Sequence, residues 1–164
     1  DMRSTIVEAG CPKEDTSLVP LSIYTDRFPY RERSLDSGTI QLLTVARFVE
    51  KKGIVYALEA VAAIAENYDL QYTIIGYGDR RDLIEAKIEE HSLEDVVNLR
   101  GWQPQSAVAD EMAKAHLFLL PSVTAENGDK EGTPTVLLEA QSMGLPIVTT
   151  HHAGIPEIVD DGET

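Results

Sequence analysis

An alternation that starts at residue 40 and runs almost to the end of the chain constrains the fold most. Short apolar runs rich in β-formers take turns with longer segments whose apolar residues recur at helical spacing. The runs are 40–46 (IQLLTVA), 71–75 (QYTII), 96–99 (VVNL), 116–120 (HLFLL) and 146–149 (PIVT). Between them, 54–65 carries apolar residues at 54, 55, 58, 61, 62 and 65, a helical stripe. Segments 81–91, 105–115 and 135–143 also read as helices, and 155–159 as the start of another short one. Such an alternation means βαβ units and a parallel sheet. Several runs are apolar on both faces, as in a sheet covered on both sides. The predicted fold class is α/β: a Rossmann-like, doubly wound parallel sheet. Ligands of such sheets bind outside the carboxyl ends of the strands, so the loops that follow strands are where chemistry is expected.

The upstream part is less regular. Residues 1–16 are polar and mixed, and read as the end of a helix running into Gly10-Cys11-Pro12. Residues 17–24 (SLVPLSIY) read as a short strand interrupted by Pro20, and 26–38 as a charged linker. A length of 164 residues suits one domain with a hydrophobic core. The net charge of −14 argues against a general nucleic-acid binder, which needs a basic surface, and against broad attachment to an anionic membrane. A specific anionic ligand stays open wherever a few cations gather. Cys11 is the only cysteine, so there is no internal disulfide and no cysteine-based zinc site, and a reducing compartment fits. No apolar run approaches the roughly 20 residues that span a bilayer, and no signal peptide is visible.

Five loops follow the runs. The first, Arg47-Phe48-Val49-Glu50-Lys51-Lys52-Gly53, concentrates three cations in an acidic chain. Arg47 and Lys52 suit a diphosphate, one by a forked contact and the other as a point charge. Gly53 is expected to keep the next helix entrance open to an anion; the competing reading is a solvated loop with its lysines in water. The second loop, Gly76-Tyr77-Gly78-Asp79-Arg80-Arg81, has Arg81 where a dinucleotide fingerprint needs its third glycine, so it reads as a glycine turn into a helix. The third, Arg100-Gly101-Trp102-Gln103-Pro104, suits either a base held against Trp102 or a turn with a packed tryptophan. The fourth runs from Pro121 to Pro134 and ends in a helix start, with Thr133 as expected N-cap and Pro134 at the first helical position. Gly132 lets a ligand approach the backbone there. Glu131 lies just before this helix and Glu139 inside it, two carboxylates suited to sugar hydroxyls beside an anion-binding helix end. The competing reading of Glu139 is an exposed helix glutamate. In the fifth loop His151 and His152 are adjacent and, on a strand, would point to opposite faces, which is poor geometry for a shared metal.

The stretch EGTPTVLLEAQSMGLPIVTTHHAGIPEIV, with Glu131 and Glu139 eight apart, resembles the signature of family 4 retaining glycosyltransferases, two-domain enzymes of GT-B architecture. ARFVEKKG from Ala46, IIGYGD from Ile74, VNLRGW from Val97 and HLFLLPS from His116 add to the match, in order and over about 120 residues. LSIYTDRFPYR, from Leu21, resembles the segment linking the two domains of that family. The finer resemblance is to enzymes that build exopolysaccharides or other surface glycans.

The resemblance implies several roles. Arg47 and Lys52 bind the donor diphosphate and stabilise the leaving nucleotide, Glu131 holds donor-sugar hydroxyls, and Glu139 accepts from the ribose. Gly132, Thr133, Pro134 and Thr135 line the sugar and phosphate site, while Gly101 and Trp102 contact the base. It implies no metal and no cofactor, a UDP- or GDP-type sugar as substrate, and transfer with retention. Residues 1–38 are then the remnant of an N-terminal domain plus linker, and 39–164 a C-terminal donor-binding domain stopping before its final strand and helix. The acceptor, a sugar or lipid-linked glycan, belongs to the missing domain, so the fragment is expected to be inactive alone. The expected location is cytoplasmic, peripheral at the inner membrane face for the full-length enzyme. An epimerase or phosphorylase of the same fold, or a non-catalytic nucleotide-binding scaffold, are the alternatives.

Overall fold

The computed structural model describes residues 2–34 and 38–163; residues 35–37 of the expected linker, and the terminal Asp1 and Thr164, lie outside the described residues. Five strands form one sheet: β1 Ile40–Val45, β2 Leu70–Ile75, β3 Val97–Arg100, β4 Leu117–Leu120 and β5 Ile147–Thr149. The helices are α1 Met2–Glu8, α2 Ile54–Ile64, α3 Arg81–Glu90, α4 Gln105–Lys114 and α5 Thr135–Ser142. All strand pairs are parallel, in the order β3-β2-β1-β4-β5. The expected α/β doubly wound sheet is present.

Consecutive apolar residues in β1, β2 and β4 serve opposite faces. Leu42 and Leu119 join Tyr72 and Ile74 beneath α2 (Ile54, Leu58, Val61) and α3 (Ile84, Ile88). Leu43, Phe118 and Leu120 face α4 (Val108, Met112) and α5 (Leu137, Ala140). The two-residue repeat of a strand and the helical stripes therefore account for both layers.

The strand order decides where a ligand can bind. The chain lays β2 and β3 on one side of β1, then crosses back to place β4 on the other side and β5 beyond it. The direction of winding reverses between β1 and β4, which opens a crevice at the carboxyl ends of those two strands. A buried polar link ties the two together. Thr44 Oγ1 donates to the Leu119 carbonyl at 2.6 Å, and the Tyr72 hydroxyl donates to the same Thr44 oxygen at 2.7 Å. With Thr44 and Tyr72 both fully buried, burial holds the Tyr72 phenol well above its ordinary range and keeps it a neutral donor.

Three expectations change upstream and at the end of the chain. Residues 17–24 form no strand: Pro20 has no N–H to give a ladder, the segment pairs with neither edge of the sheet, and Leu18, Val19 and Leu21 are exposed. The described part of the linker is strapped to the domain. Phe28 lies in the core beside α5, and Arg33 donates to the carbonyls of Ala115, Met143 and Gly144 at the ends of α4 and α5. Those ends carry the negative pole of each helix, which suits a cation. The expected helix at 155–159 is a single 3-10 turn, Ile155–Glu157.

Candidate functional site

The crevice between β1 and β4 is built from two loops. After β1 the chain makes a 3-10 turn, Glu50–Lys52, and enters α2 through Gly53 in the left-handed region at φ 63°. A Cβ on Gly53 would stand 1.8 Å from the Pro121 carbonyl oxygen. The expectation that Gly53 leaves an open entrance for an anion is thus corrected: the space is filled by the backbone leaving β4. The glycine brings the two loops into contact.

Lys52 crosses to the other loop. Its Nζ pairs with Glu131 Oε2 at 2.5 Å, with the side chains 12% and 8% exposed. Such shielding rules out the reading in which Lys52 is a solvated lysine. Ser122 Oγ stands 3.5 Å from the same Glu131 oxygen, and the Glu131 N–H faces His152 Nε2 at 3.5 Å. Arg47 is different. It is exposed at the carboxyl end of β1, and its guanidinium forms no ion pair or hydrogen bond with the described residues. One cation of the expected pair is free and the other is held by a carboxylate.

The helix start on the β4 side is open. Pro134, with φ −73° and ψ 105°, is itself the N-cap of α5, and no side chain among the described residues caps the helix. This corrects the expected Thr133 cap and the placing of Pro134 at the first helical position; the extended ψ at Pro134 delays the helix to Thr135. The Leu137 N–H turns back to the Pro134 carbonyl at 3.0 Å, while without a cap the Thr135 and Val136 N–H groups keep their hydrogen-bonding capacity at the positive pole of the helix. Gly132 and Thr135 are exposed there, Thr133 is partly exposed, and Pro134 is buried. Open space surrounds the Gly132 Cα, while the Gly132 carbonyl sits where a Cβ on Gly154 would clash at 2.6 Å. Gly154 therefore sets the height of the 132–133 backbone.

Glu139 lies one turn into α5, half-buried. Burial raises its carboxyl above the ordinary range, with a hydrogen bond from the Gln105 side chain acting the other way. The alternative of an exposed helix glutamate does not hold. Gln105 in turn accepts from Arg27 Nη1 at 2.9 Å, so its amide nitrogen is the end turned to Glu139. Nothing in the sequence pointed to Gln105, because its partners are 34 and 78 positions away.

The β3 loop is farther out, on the edge strand. Trp102 is 67% exposed, which removes the packed-tryptophan reading, and Gly101 has open space around its Cα. The Gly101 carbonyl accepts from the Gly76 N–H at 3.1 Å, joining the second and third loops. Gly76 and Gly78, at φ 152° and 157°, pack against the Ala46 and Phe48 backbone, so this turn supports the β1 loop. His151 and His152 follow β5 and are not on it. Among the described residues no three metal-ligating side chains converge, and no helix is long and apolar enough to cross a membrane.

Comparisons with known proteins bear on the family and the fold. The family model described as "Glycosyl transferases group 1" matches residues 27–164. The amylovoran biosynthesis glycosyltransferase AmsK of Erwinia amylovora is 38% identical over 156 residues, covering 94% of this chain and 38% of that relative. A human phosphatidylinositol N-acetylglucosaminyltransferase subunit is 32% identical over 160 residues, covering 96% of this chain and 31% of the relative. The chain thus spans about a third of these relatives' length. Among solved structures, the apo lipopolysaccharide outer core galactosyltransferase WaaB superposes with a TM-score of 0.71 at 28% identity, over 97% of this chain and 43% of its own. Anabaena HepE in complex with UDP and glucose gives 0.80 at 19% identity, over 98% and 45%, a likeness of fold. With a family model matched over most of its length and its crevice at the switch point of a GT-B-like sheet, the chain belongs to the group 1 glycosyl transferases.

Proposed function

We propose that this chain is the donor-binding part of a retaining glycosyltransferase and that the β1–β4 crevice holds a nucleoside-diphosphate sugar of UDP or GDP type. The observation that carries the reading is the convergence, at one switch point, of Arg47, Lys52, Glu131 and the uncapped start of α5. Each part has a chemical use. Arg47, unpaired among the described residues, takes a diphosphate oxygen by a forked contact. Lys52 exchanges Glu131 for the diphosphate, and Glu131 then accepts from sugar hydroxyls. Backbone N–H groups at Thr133 and Thr135, beside the exposed Gly132, receive further phosphate or sugar oxygens, with Pro134 fixing the turn. Glu139 accepts from the ribose, and Gly101 with the exposed Trp102 face offers a surface to the base.

In the whole enzyme an acceptor hydroxyl attacks the anomeric carbon, the bond to the diphosphate oxygen breaks, the hydroxyl proton passes to the departing phosphate, and the negative charge that develops there is met by Arg47, Lys52 and the helix end. This electrostatic stabilisation is the main protein contribution, and it needs no metal or cofactor. The acceptor, a sugar or lipid-linked glycan, binds in the part of the relatives' length that this chain does not span. On this reading residues 1–38 come from the preceding domain and linker, and the setting is exopolysaccharide or surface-glycan synthesis at the cytoplasmic face of a membrane. The resemblance to family 4 enzymes and the AmsK relationship support that finer assignment.

Calorimetry with UDP, GDP and their sugar conjugates tests the reading. The chain is expected to bind at least one of them and to transfer no sugar by itself. Equal affinity for wild type and Arg47→Ala would remove the diphosphate assignment, and turnover by the isolated chain would overturn the division of labour.

A further inference from the structure

The 3-10 turn that carries Lys52 also grips the rest of the β4 loop. Lys51 Nζ reaches Asp129 Oδ1 and the Lys130 carbonyl, both at 3.0 Å, while the Lys51 carbonyl accepts from the Val123 N–H at 2.9 Å. Glu50 Oε1 accepts from the Glu126 N–H at 3.0 Å, and its other oxygen is held by Arg80 Nη2 at 2.8 Å. Residues 125–129 are meanwhile folded on themselves: Ala125 N–H donates to the Asp129 carbonyl, Gly128 N–H to the Ala125 carbonyl, and Asp129 N–H to Asn127 Oδ1. The loop is thus a small preformed turn docked on Glu50 and Lys51, and the next residues are Lys130 and Glu131. Lys51 is only 13% exposed although Asp129 is 53% exposed. A single exposed ion pair contributes little, but here one shielded lysine joins a carboxylate, a carbonyl and its own backbone acceptor.

We propose that Lys51, supported by Glu50, is a positioning residue for donor recognition: it fixes residues 123–131 so that Glu131 stands ready beside Lys52. The inference rests on the donor reading above. Lys51 touches neither diphosphate nor sugar in this role. It acts through Glu131 by sparing the ligand the entropy of ordering a flexible loop. Its removal therefore weakens the part of donor affinity that comes from the sugar and spares the part that comes from the nucleotide.

Calorimetry on wild type, Lys51→Ala, Lys51→Arg and Asp129→Asn, with UDP, UDP-glucose, UDP-galactose, GDP and GDP-mannose, measures this as the affinity ratio of sugar nucleotide to bare nucleotide. For the sugar nucleotide that wild type binds best, Lys51→Ala is expected to lower the ratio about fivefold while the bare nucleotide changes less than about twofold. Lys51→Arg restores most of the ratio, and Asp129→Asn shifts it in the same direction by less. Hydrogen exchange without ligand should show the 123–131 amides opening faster in Lys51→Ala. A ratio that stays constant overturns the positioning role, and so does a parallel loss for bare and conjugated nucleotides. A wild type that binds bare nucleotides but gains nothing from any sugar also overturns it, leaving the diphosphate assignment intact. A wild type that binds no nucleotide sinks the donor reading itself, and the positioning role with it, even if the exchange data show the loop clamped.

Discussion

Two concavities sit beside neighbouring strands of the same sheet. Beside β5 lies a groove of about 830 Å³, lined by residues such as Gln141, Leu145, Val148, His151, Ile155 and Val159. In the β1–β4 crevice, by contrast, Lys52 and Glu131 pair across the two loops. The crevice holds the convergent charges and the open helix end, while the groove is bordered by an edge strand with a half-exposed Val148. Volume reports where backbone is left uncovered. Chemistry follows the topological switch, because only there do loops from two directions of winding face each other.

The largest effect that sharpens this contrast is expected at Arg47. A forked, charge-assisted contact is worth about 1.5–3 kcal/mol, so Arg47→Ala should weaken UDP or GDP binding by about 10- to 100-fold in calorimetry. An unchanged affinity would shift attention from the crevice to the groove.

Glu139→Gln comes next and separates binding from stability. The raised carboxyl means that the folded chain binds a proton more readily than the unfolded one. Stability is therefore greatest below the ordinary carboxylate range and declines as pH rises through the raised value. Replacing Glu139 by Gln should raise the melting temperature at neutral pH, and that gain should vanish in acid. The same change should cost about tenfold in nucleotide affinity, since an amide accepts less well from the ribose than a carboxylate. Wild-type affinity should fall as pH drops through the raised value. A variant no more stable at neutral pH than wild type would contradict the burial argument.

A smaller effect of opposite sign is expected at Glu131. Without its charge Lys52 loses its resting partner and is free for a diphosphate. Glu131→Gln should bind bare UDP or GDP about two- to threefold more tightly, and sugar conjugates with less advantage over the bare nucleotide. Weaker binding of the bare nucleotide would mean that the ion pair orders the site and does not compete with the ligand.

The smallest effect belongs to the groove. Val148→Asp and His151→Ala should leave nucleotide affinity within about twofold of wild type. A larger change in either would join the two concavities into one site.

The sequence determined the layers and the candidate loops. Strand and helix periods depend on neighbours two to four residues apart, so the α/β alternation and nearly every element from 40 onward were legible to within a residue or two. Arg47, Lys52, Glu131 and Glu139 stood out as charges in or beside loops and in an apolar helix. Local rules failed where the outcome depends on a distant partner. Residues 17–24 had strand composition but pair with neither edge of the sheet, and Gly53 is tuned to the Pro121 carbonyl. The tertiary structure alone decided that β4 lies against β1, and with it that Lys52 meets Glu131, that Lys51 clamps Asp129, and that Gln105 turns to Glu139. The physical reason is range: hydrogen bonds and ion pairs act over a few ångströms, and which residues come that close across 34 to 79 positions of chain is set by the order of strands in the sheet.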